Sequence, residues 1–346
     1  MTLIVLYEEL AAYFVKCIST FALQHNAEVH VIRKEVNKEA PFKFDVSSVK
    51  IYDRSEYSEQ ELLDLVKKID PDALFCGGWS TKVYLKIASV YHGKIPTVIG
   101  FDNNWTGSLK QHLAGLAAPF FLTNKFDRCF VPGPGQEKFA LKMGFKKAQI
   151  VLGAYCCDFN LFNDQYLKNK EKKRSHFPKR FIYVGRYVEH KGVKDLWQAF
   201  SELQDENPND WELWCLGTGD VEPCRNDKIK HFGFVQPDGL PGYIQETGVF
   251  VLPSHFEPWG VVVHEFASAG FPIICTEEVG ARTAFVENNF NGYIYTSGNI
   301  RQLKEILKKI MQLNDIELSQ MGDRSVEKAK LITPEIWSRQ LEKLLQ

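Results

Sequence analysis

The stretch VLPSHFEPWGVVVHEFASAG, Val251 to Gly270, is the densest in the chain. An apolar run ends at Leu252, a loop carries Glu257, Pro258 and Gly260, and a helical pattern begins near Gly260. Strand, loop and helix in this order form the repeating unit of a parallel α/β sheet. A helix start presents unpaired backbone N–H groups and a partial positive charge, which suits a phosphate or diphosphate. Gly260 would let such a ligand approach the backbone closely. Glu257 stands just before the helix and Glu265 one to two turns into it. Two carboxylates repel a phosphate, yet they fit a sugar nucleotide whose hydroxyls donate to them at opposite ends. These residues alone leave a second reading equally open, with Glu257 as a favourable N-terminal charge and Glu265 on a solvated face.

Toward the N-terminus, FIYVGRYVEHKG (Phe181–Gly192) is a strand running into a loop with Arg186 and Lys191 close together. Arginine suits bidentate phosphate contact and lysine point-charge neutralisation. Two fixed cations and a helix terminus would stabilise a departing diphosphate without a metal. Taken alone, the two cations read first as ordinary surface charge before a helix. Farther out, short apolar runs alternate with amphipathic stretches along the whole chain. The predicted strands are Leu3–Tyr7, Glu28–Arg33, Val49–Tyr52, Ala73–Gly77, Thr97–Phe101, Arg128–Val131 and Gln149–Leu152, then Arg180–Gly185, Glu212–Leu216, Ile229–Phe234, Val249–Leu252, Pro272–Cys275 and Gly292–Tyr295. This predicts an α/β protein of two doubly wound parallel-sheet domains in tandem, with ligands at the carboxyl ends of the strands. KNKEKKRSHFPKR (168–180) reads as a solvated inter-domain linker, with contact to an anionic membrane as the functional alternative. After Ile300 the pattern is helical, and no sequence repeat is seen.

Composition narrows the classes. With 346 residues, 45% hydrophobic and 25% charged, the chain has room for two buried cores. A net charge of −1 gives no electrostatic case for nucleic acid. The eight cysteines contain no C-x-x-C pair and sit mostly in apolar runs, as reduced thiols of a cytoplasmic protein would. MTLIVLYEEL reads as a first strand and not as a signal peptide, and no apolar run reaches membrane-spanning length. P-loop and D-x-D patterns are absent, Gly217-Thr218-Gly219 has Glu222 where a dinucleotide fingerprint wants glycine, and His264-Glu265 lacks the second histidine of a zinc site. No metal and no cofactor are expected.

The spaced elements Pro253, Ser254, Glu257, Gly260, Glu265, Ala267 or Ser268, Gly270 and Pro272, preceded by Gly185, Arg186, Lys191 and Gly192, resemble the retaining glycosyltransferases of family 4. Gly280 and Asn291-Gly292 extend the resemblance, which covers about residues 180–312, with Thr283 near a place where the family usually has glutamate. The resemblance implies the GT-B fold, two Rossmann-like domains facing a cleft, with 1–165 plus the terminal helix 333–346 as acceptor domain and 166–332 as nucleotide-sugar domain. It implies that Glu265 holds the ribose, Glu257 the donor sugar, Arg186 and Lys191 the diphosphate, and the amides of Gly260, Val261 and Val262 the distal phosphate. Phe234 and Val235 would flank the base. The N-terminal half matches less well: LYEELAAYF stands where many relatives have a glycine-rich loop, and Asp102, Asn103 and Trp105 occupy the place of a family histidine. A carboxylate, an amide and an aromatic ring suit a sugar site, although an Asx-turn explains them equally.

The expected activity is metal-independent, retaining transfer of a hexose-type sugar from a nucleotide diphosphate donor, UDP-sugar favoured over GDP-sugar. The acceptor would be a saccharide or a lipid-linked saccharide in surface polysaccharide synthesis, with possible peripheral membrane contact. The alternatives are a GT-B sugar-nucleotide epimerase and a non-catalytic GT-B partner protein.

Overall fold

The computed structural model describes residues 1–34 and 47–346. In chain order its first elements are β1 (Thr2–Tyr7), α1 (Ala12–Gln24), β2 (Glu28–Arg33), β3 (Lys50–Asp53), α2 (Glu59–Ile69), β4 (Ala73–Gly77), α3 (Lys82–Tyr91), β5 (Thr97–Gly100), α4 (Leu109–Phe121), β6 (Arg128–Val131), α5 (Pro134–Lys142) and β7 (Ile150–Leu152). There follow α6 (Phe159–Ser175), β8 (Arg180–Val184), α7 (Val193–Glu206), β9 (Glu212–Leu216), β10 (Ile229–His231), α8 (Leu240–Glu246), β11 (Val249–Leu252), α9 (Val261–Ser268), β12 (Ile273–Thr276), α10 (Arg282–Phe285), β13 (Gly292–Tyr295), α11 (Ile300–Gln312), α12 (Asp315–Ala329) and α13 (Pro334–Leu345).

The chain divides into two units, one of Met1–Cys157 with Ile332–Gln346 and one of Asp158–Leu331. Among the described residues the first holds a sheet of order β3-β2-β1-β4-β5-β6-β7 and the second one of order β10-β9-β8-β11-β12-β13, both with every pairing parallel. Each is a doubly wound Rossmann-like sheet, and the order reverses beside β1 and β4 in one and beside β8 and β11 in the other. The two units thus repeat one topology without a repeat visible in sequence. Strands covered on both faces must be apolar throughout, and Leu3–Leu6, Phe181–Tyr183 and Val249–Leu252 are wholly buried runs.

In the first unit, α13 lies on the core side of α1. Its Trp337, Leu341 and Leu344 join Phe14, Ile18 and Phe21 in one buried cluster, and Trp337 Nε1 donates to the carbonyl of Ala154 at 2.7 Å. The chain leaves this unit after Cys157 and returns at Ile332, and the two points lie side by side: Cys156 Sγ is 3.6 Å from the carbonyl oxygen of Ile332.

Two expectations are corrected. Residues 168–175 are not a linker but the last turns of α6, a helix of the second unit that also contains the expected boundary at 165/166. Two of its polar residues, Asn169 and Lys173, face inward, while Lys168, Glu171, Lys172 and Arg174 are exposed. Lys173 Nζ sits 3.8 Å from the centre of the Phe271 ring, and burial pulls its pKa down to about 7. Arg174 is tied to Asp323 at 2.9 Å and to Glu171 at 3.2 Å. The strand expected over Ile229–Phe234 stops at His231, whose ring hydrogen-bonds the Tyr187 hydroxyl and the Cys224 carbonyl, so Phe234 and Val235 lie in the loop that follows.

Candidate active site

The loops after β8 and β11 lie beside the point where the second sheet's order reverses, the position at which parallel α/β sheets open a crevice. They are tied together by backbone: the amides of His255 and Phe256 both donate to the carbonyl of His190, at 2.8 and 3.2 Å. The imidazole of His255 also meets Asp195 at 2.7 Å. Two glycines permit the approach. A Cβ on Gly192, at φ +64°, would lie 2.0 Å from the Pro253 carbonyl oxygen. A Cβ on Gly280 would lie 2.1 Å from the Pro258 carbonyl oxygen, where Gly280 N donates to Glu257 O at 3.0 Å.

This frame brings Lys191 and Glu257 into a short ion pair, with both side chains mostly buried. Arg186 extends from the same loop and is exposed, and its backbone carbonyl accepts from the buried Tyr183 hydroxyl at 2.8 Å. The local field is positive enough to register on a neighbour: burial, then Lys191 and Arg186, lower the pKa of His190. Gly260, at φ +91°, caps α9 and turns the chain sharply into the helix. The first-turn amides of Val261 and Val262 have no acceptor one turn earlier in the helix. Glu265 follows on the same helix. It is half-buried, and burial alone pushes its carboxyl up to about 7, with no donor or cation among the described residues offsetting that burial. Cations, free amides and an uncompensated carboxylate on one loop–helix segment fit a ligand that carries both phosphates and hydroxyls. Phe234 is exposed and Val235 half-buried in the loop after β10, close in sequence to Gly233 at φ +71°.

In the first unit, Asp102 follows β5. Its carboxylate accepts from the Tyr155 hydroxyl, and Tyr155 and Tyr7 both hydrogen-bond Tyr13. Burial, then mutual repulsion among these groups, raises the pKa of all three tyrosines well above the usual range. Asn103 is exposed. Trp105 is half-buried, with its ring against His112 at 4.9 Å, Phe139 at 6.2 Å and the Lys142 ammonium at 5.8 Å, so protein groups already occupy much of its surroundings. The reversal point of this sheet carries a carboxylate where the second unit carries cations. Glu8, at the end of β1, accepts from Ser80, from Thr81 at 2.5 Å and from Lys34 at 2.8 Å, and these bonds lower its pKa against the opposing effect of burial.

Sequence reasoning missed the tyrosine cluster, the Glu8 hub and the His255–Asp195 pair. Tyr13 and Tyr155 are too far apart in sequence for any spacing to reveal them. Glu8 carried a signal, since a glutamate directly after a buried strand faces the open end of the sheet.

Residues 165–328 match the family described as glycosyl transferases group 1. The lipopolysaccharide 1,6-galactosyltransferase of Escherichia coli K12 is 30% identical over 142 residues, covering 37% of this chain and 38% of that protein. The chain spans between 31% and 51% of the length of the curated relatives it matches. Among solved structures, the sucrose-phosphate synthase of Thermosynechococcus elongatus superposes with a TM-score of 0.71 at 16% identity, covering 99% of this chain and 98% of that one. Anabaena HepE in complex with UDP and glucose gives 0.69 at 14% identity, with the same coverage. The fold is therefore GT-B, two Rossmann-like parallel-sheet units in succession, and residues 165–328 of the second unit match the family model of the group 1 glycosyl transferases.

Proposed function

We propose that the protein is a retaining, metal-independent glycosyltransferase that moves a hexose-type sugar from a nucleoside diphosphate, uridine in preference to guanosine, to a saccharide or lipid-linked acceptor. The observation that carries this reading is the set formed by the Lys191–Glu257 pair, the α9 start at Gly260 and the uncompensated Glu265 at the reversal point of the second sheet. Arg186 and Lys191 hold the diphosphate, and the amides of Val261 and Val262 bind its distal phosphate. As the diphosphate draws Lys191 toward itself, Glu257 is released to accept hydrogen bonds from the donor sugar. Glu265 accepts from the ribose hydroxyls, which compensates its burial, and the base lies near Phe234 and Val235. The reaction is front-face substitution: the glycosidic C–O bond to the diphosphate breaks, the acceptor oxygen bonds the same face of the anomeric carbon, and the acceptor proton passes to the leaving phosphate oxygen. Positioning and a preorganised positive field then supply the catalysis. Asp102, hydrogen-bonded to Tyr155, is assigned to the acceptor, with Asn103 and Trp105 beside it.

Support for a role in surface polysaccharide synthesis comes from relatives that include the galactosyltransferase above, the amylovoran glycosyltransferase of Erwinia amylovora and the capsular polysaccharide glycosyltransferase of Staphylococcus aureus. The test is a thermal-shift panel of UDP, GDP, ADP and their sugar conjugates with and without EDTA. At a hundredfold excess over Kd, a ligand of the native state adds about 2.7 kcal/mol of stability. A strong shift with UDP and UDP-sugars that EDTA leaves unchanged is expected. Absence of a shift with every nucleotide refutes the donor site and leaves the non-catalytic partner. Acceptor-independent release of free UDP with an altered sugar would instead identify an epimerase.

A further inference from the structure

Helix α4 is amphipathic in the reverse sense. Leu109, Leu113, Leu116 and Phe120 are 76%, 58%, 76% and 80% exposed, while the residue it buries fully is the small Ala118. At about 100° per residue the four large side chains fall within an arc of roughly 60°, and Ala118 lies about 180° from its middle. The helix therefore rests on the unit through the small Ala114, Gly115 and Ala118 and, at its last turn, Phe121. A Cβ on Gly115 would lie 2.7 Å from the Lys142 carbonyl oxygen. The four large apolar groups of the arc point to solvent. Exposing them costs free energy unless something covers them.

The surroundings of the stripe are basic. From Asn103 to Phe126 the sequence has Lys110, His112 and Lys125 and no carboxylate. Lys142 joins them through its place over the Trp105 ring, whose other neighbour is His112. The nearby Glu137 is taken up by Lys147. A strip about 16 Å long and ~10 Å wide covers about a fifth of the roughly 800 Å² that each partner contributes to a stable protein interface. A single helix face with large aliphatic and aromatic side chains and a cationic rim is what seats a protein in the headgroup region of an anionic bilayer. We infer that α4 is an interfacial helix through which the protein docks on an anionic phospholipid surface. The inference does not depend on the donor chemistry of the second unit, although a lipid-linked acceptor would be met at such a surface.

The experiment is co-sedimentation of the full chain with vesicles of phosphatidylglycerol mixed with phosphatidylcholine and with vesicles of phosphatidylcholine alone. The variants are Leu113→Glu/Leu116→Glu on α4 and Lys168→Glu/Lys172→Glu on α6. All proteins are also run on size-exclusion chromatography and in the UDP thermal-shift assay. Wild type is expected to bind the anionic vesicles at least tenfold better than the neutral ones. The α4 variant is expected to lose roughly a hundredfold in partition, about tenfold for each apolar anchor replaced. The α6 variant should keep its binding, and the UDP shift should be the same in all three. The inference is overturned if wild type ignores anionic vesicles, or if the α6 charges and not the α4 stripe control binding. It is equally overturned if wild type is a dimer that the α4 variant converts to monomer without any vesicle binding, because the stripe then seats a second copy. A folded α4 variant is verified by its unchanged melting temperature, and loss of the UDP shift in wild type would count against the donor site alone.

Discussion

Replacing Glu265 by glutamine should stabilise the free protein and impair its ligand binding at the same time. The carboxyl has a folded pKa of about 7 against an ordinary value of 4.5. A carboxyl with a raised folded pKa binds its proton more tightly in the native state than in the unfolded chain. Between pH 4.5 and 7 the native state therefore holds more protons, and stability falls as pH rises through this window. Above it the loss is complete. A tenfold difference in proton affinity between the two states is worth about 1.36 kcal/mol, so the penalty at pH 8 is on the order of 3 kcal/mol at most, and water reaching this half-buried side chain brings it nearer 1–2 kcal/mol. Glutamine has the same shape and no charge to desolvate. Its variant should gain about 1–2 kcal/mol at pH 8, gain nothing near pH 4, and show a flatter stability–pH curve. Urea titrations of both proteins across this range measure the difference directly. If ribose hydroxyls bind the carboxylate, UDP affinity should rise as pH rises toward 7 in wild type, and this dependence should vanish in the variant. A variant that is less stable than wild type at pH 8, or that keeps the same pH slope, refutes the claim that Glu265 is an uncompensated buried carboxylate.

Lys191→Ala should leave Glu257 unpaired and lower the transfer rate by about 10² to 10³-fold, as expected for loss of one preorganised charge at a leaving group; steady-state kcat/KM against the UDP-sugar found in the thermal-shift panel checks it. Gly192→Ala should destabilise the second unit by more than about 2 kcal/mol, because a Cβ at 2.0 Å from the Pro253 oxygen adds a backbone clash to the cost of a positive φ. Its denaturation midpoint in urea, with the slope unchanged, is the measurement. Trp337→Ala should cost about 3–5 kcal/mol, since it empties a fully buried site among Phe14 and Phe130 and leaves the Ala154 carbonyl without its donor. Thermal melting is the readout.

Much of the fold was legible because parallel strands covered on both faces must be apolar runs, and LIVL, ALFC, FIYV, VFVL and IICT announce themselves. Glycines supplied the rest of the loop geometry around Lys191 and Glu257, where Gly192 and Gly260 both have positive φ. The rest depends on which way a side chain points once its element is packed. The basic run at 168–175 is helical, with one lysine turned inward over Phe271, and no count of charges reveals which lysine that is. The run Leu113–Leu122 is apolar in sequence, and nothing in it tells which way its leucines point. Only the burial of Ala118 and the seat of Gly115 show that its leucines point outward. The tyrosines around Asp102 come from a strand, a helix and a loop, at Tyr7, Tyr13 and Tyr155, and contact among them is a property of the tertiary fold, not of local sequence.

The two neighbouring crossings at Cys157 and Ile332 make the second unit a nested module. All strands of the first sheet precede the exit point, and only α13 follows the return. Residues 158–331 could therefore be lifted out as a cassette whose own sheet is uncut, and the gap in the first unit closed by a short splice, since its two ends already touch near Cys156 and Ile332. A chain wired in this way lets the inserted unit be exchanged while the first unit keeps its α1–α13 packing. Such an exchange cuts the chain at two places and interrupts no strand of either sheet.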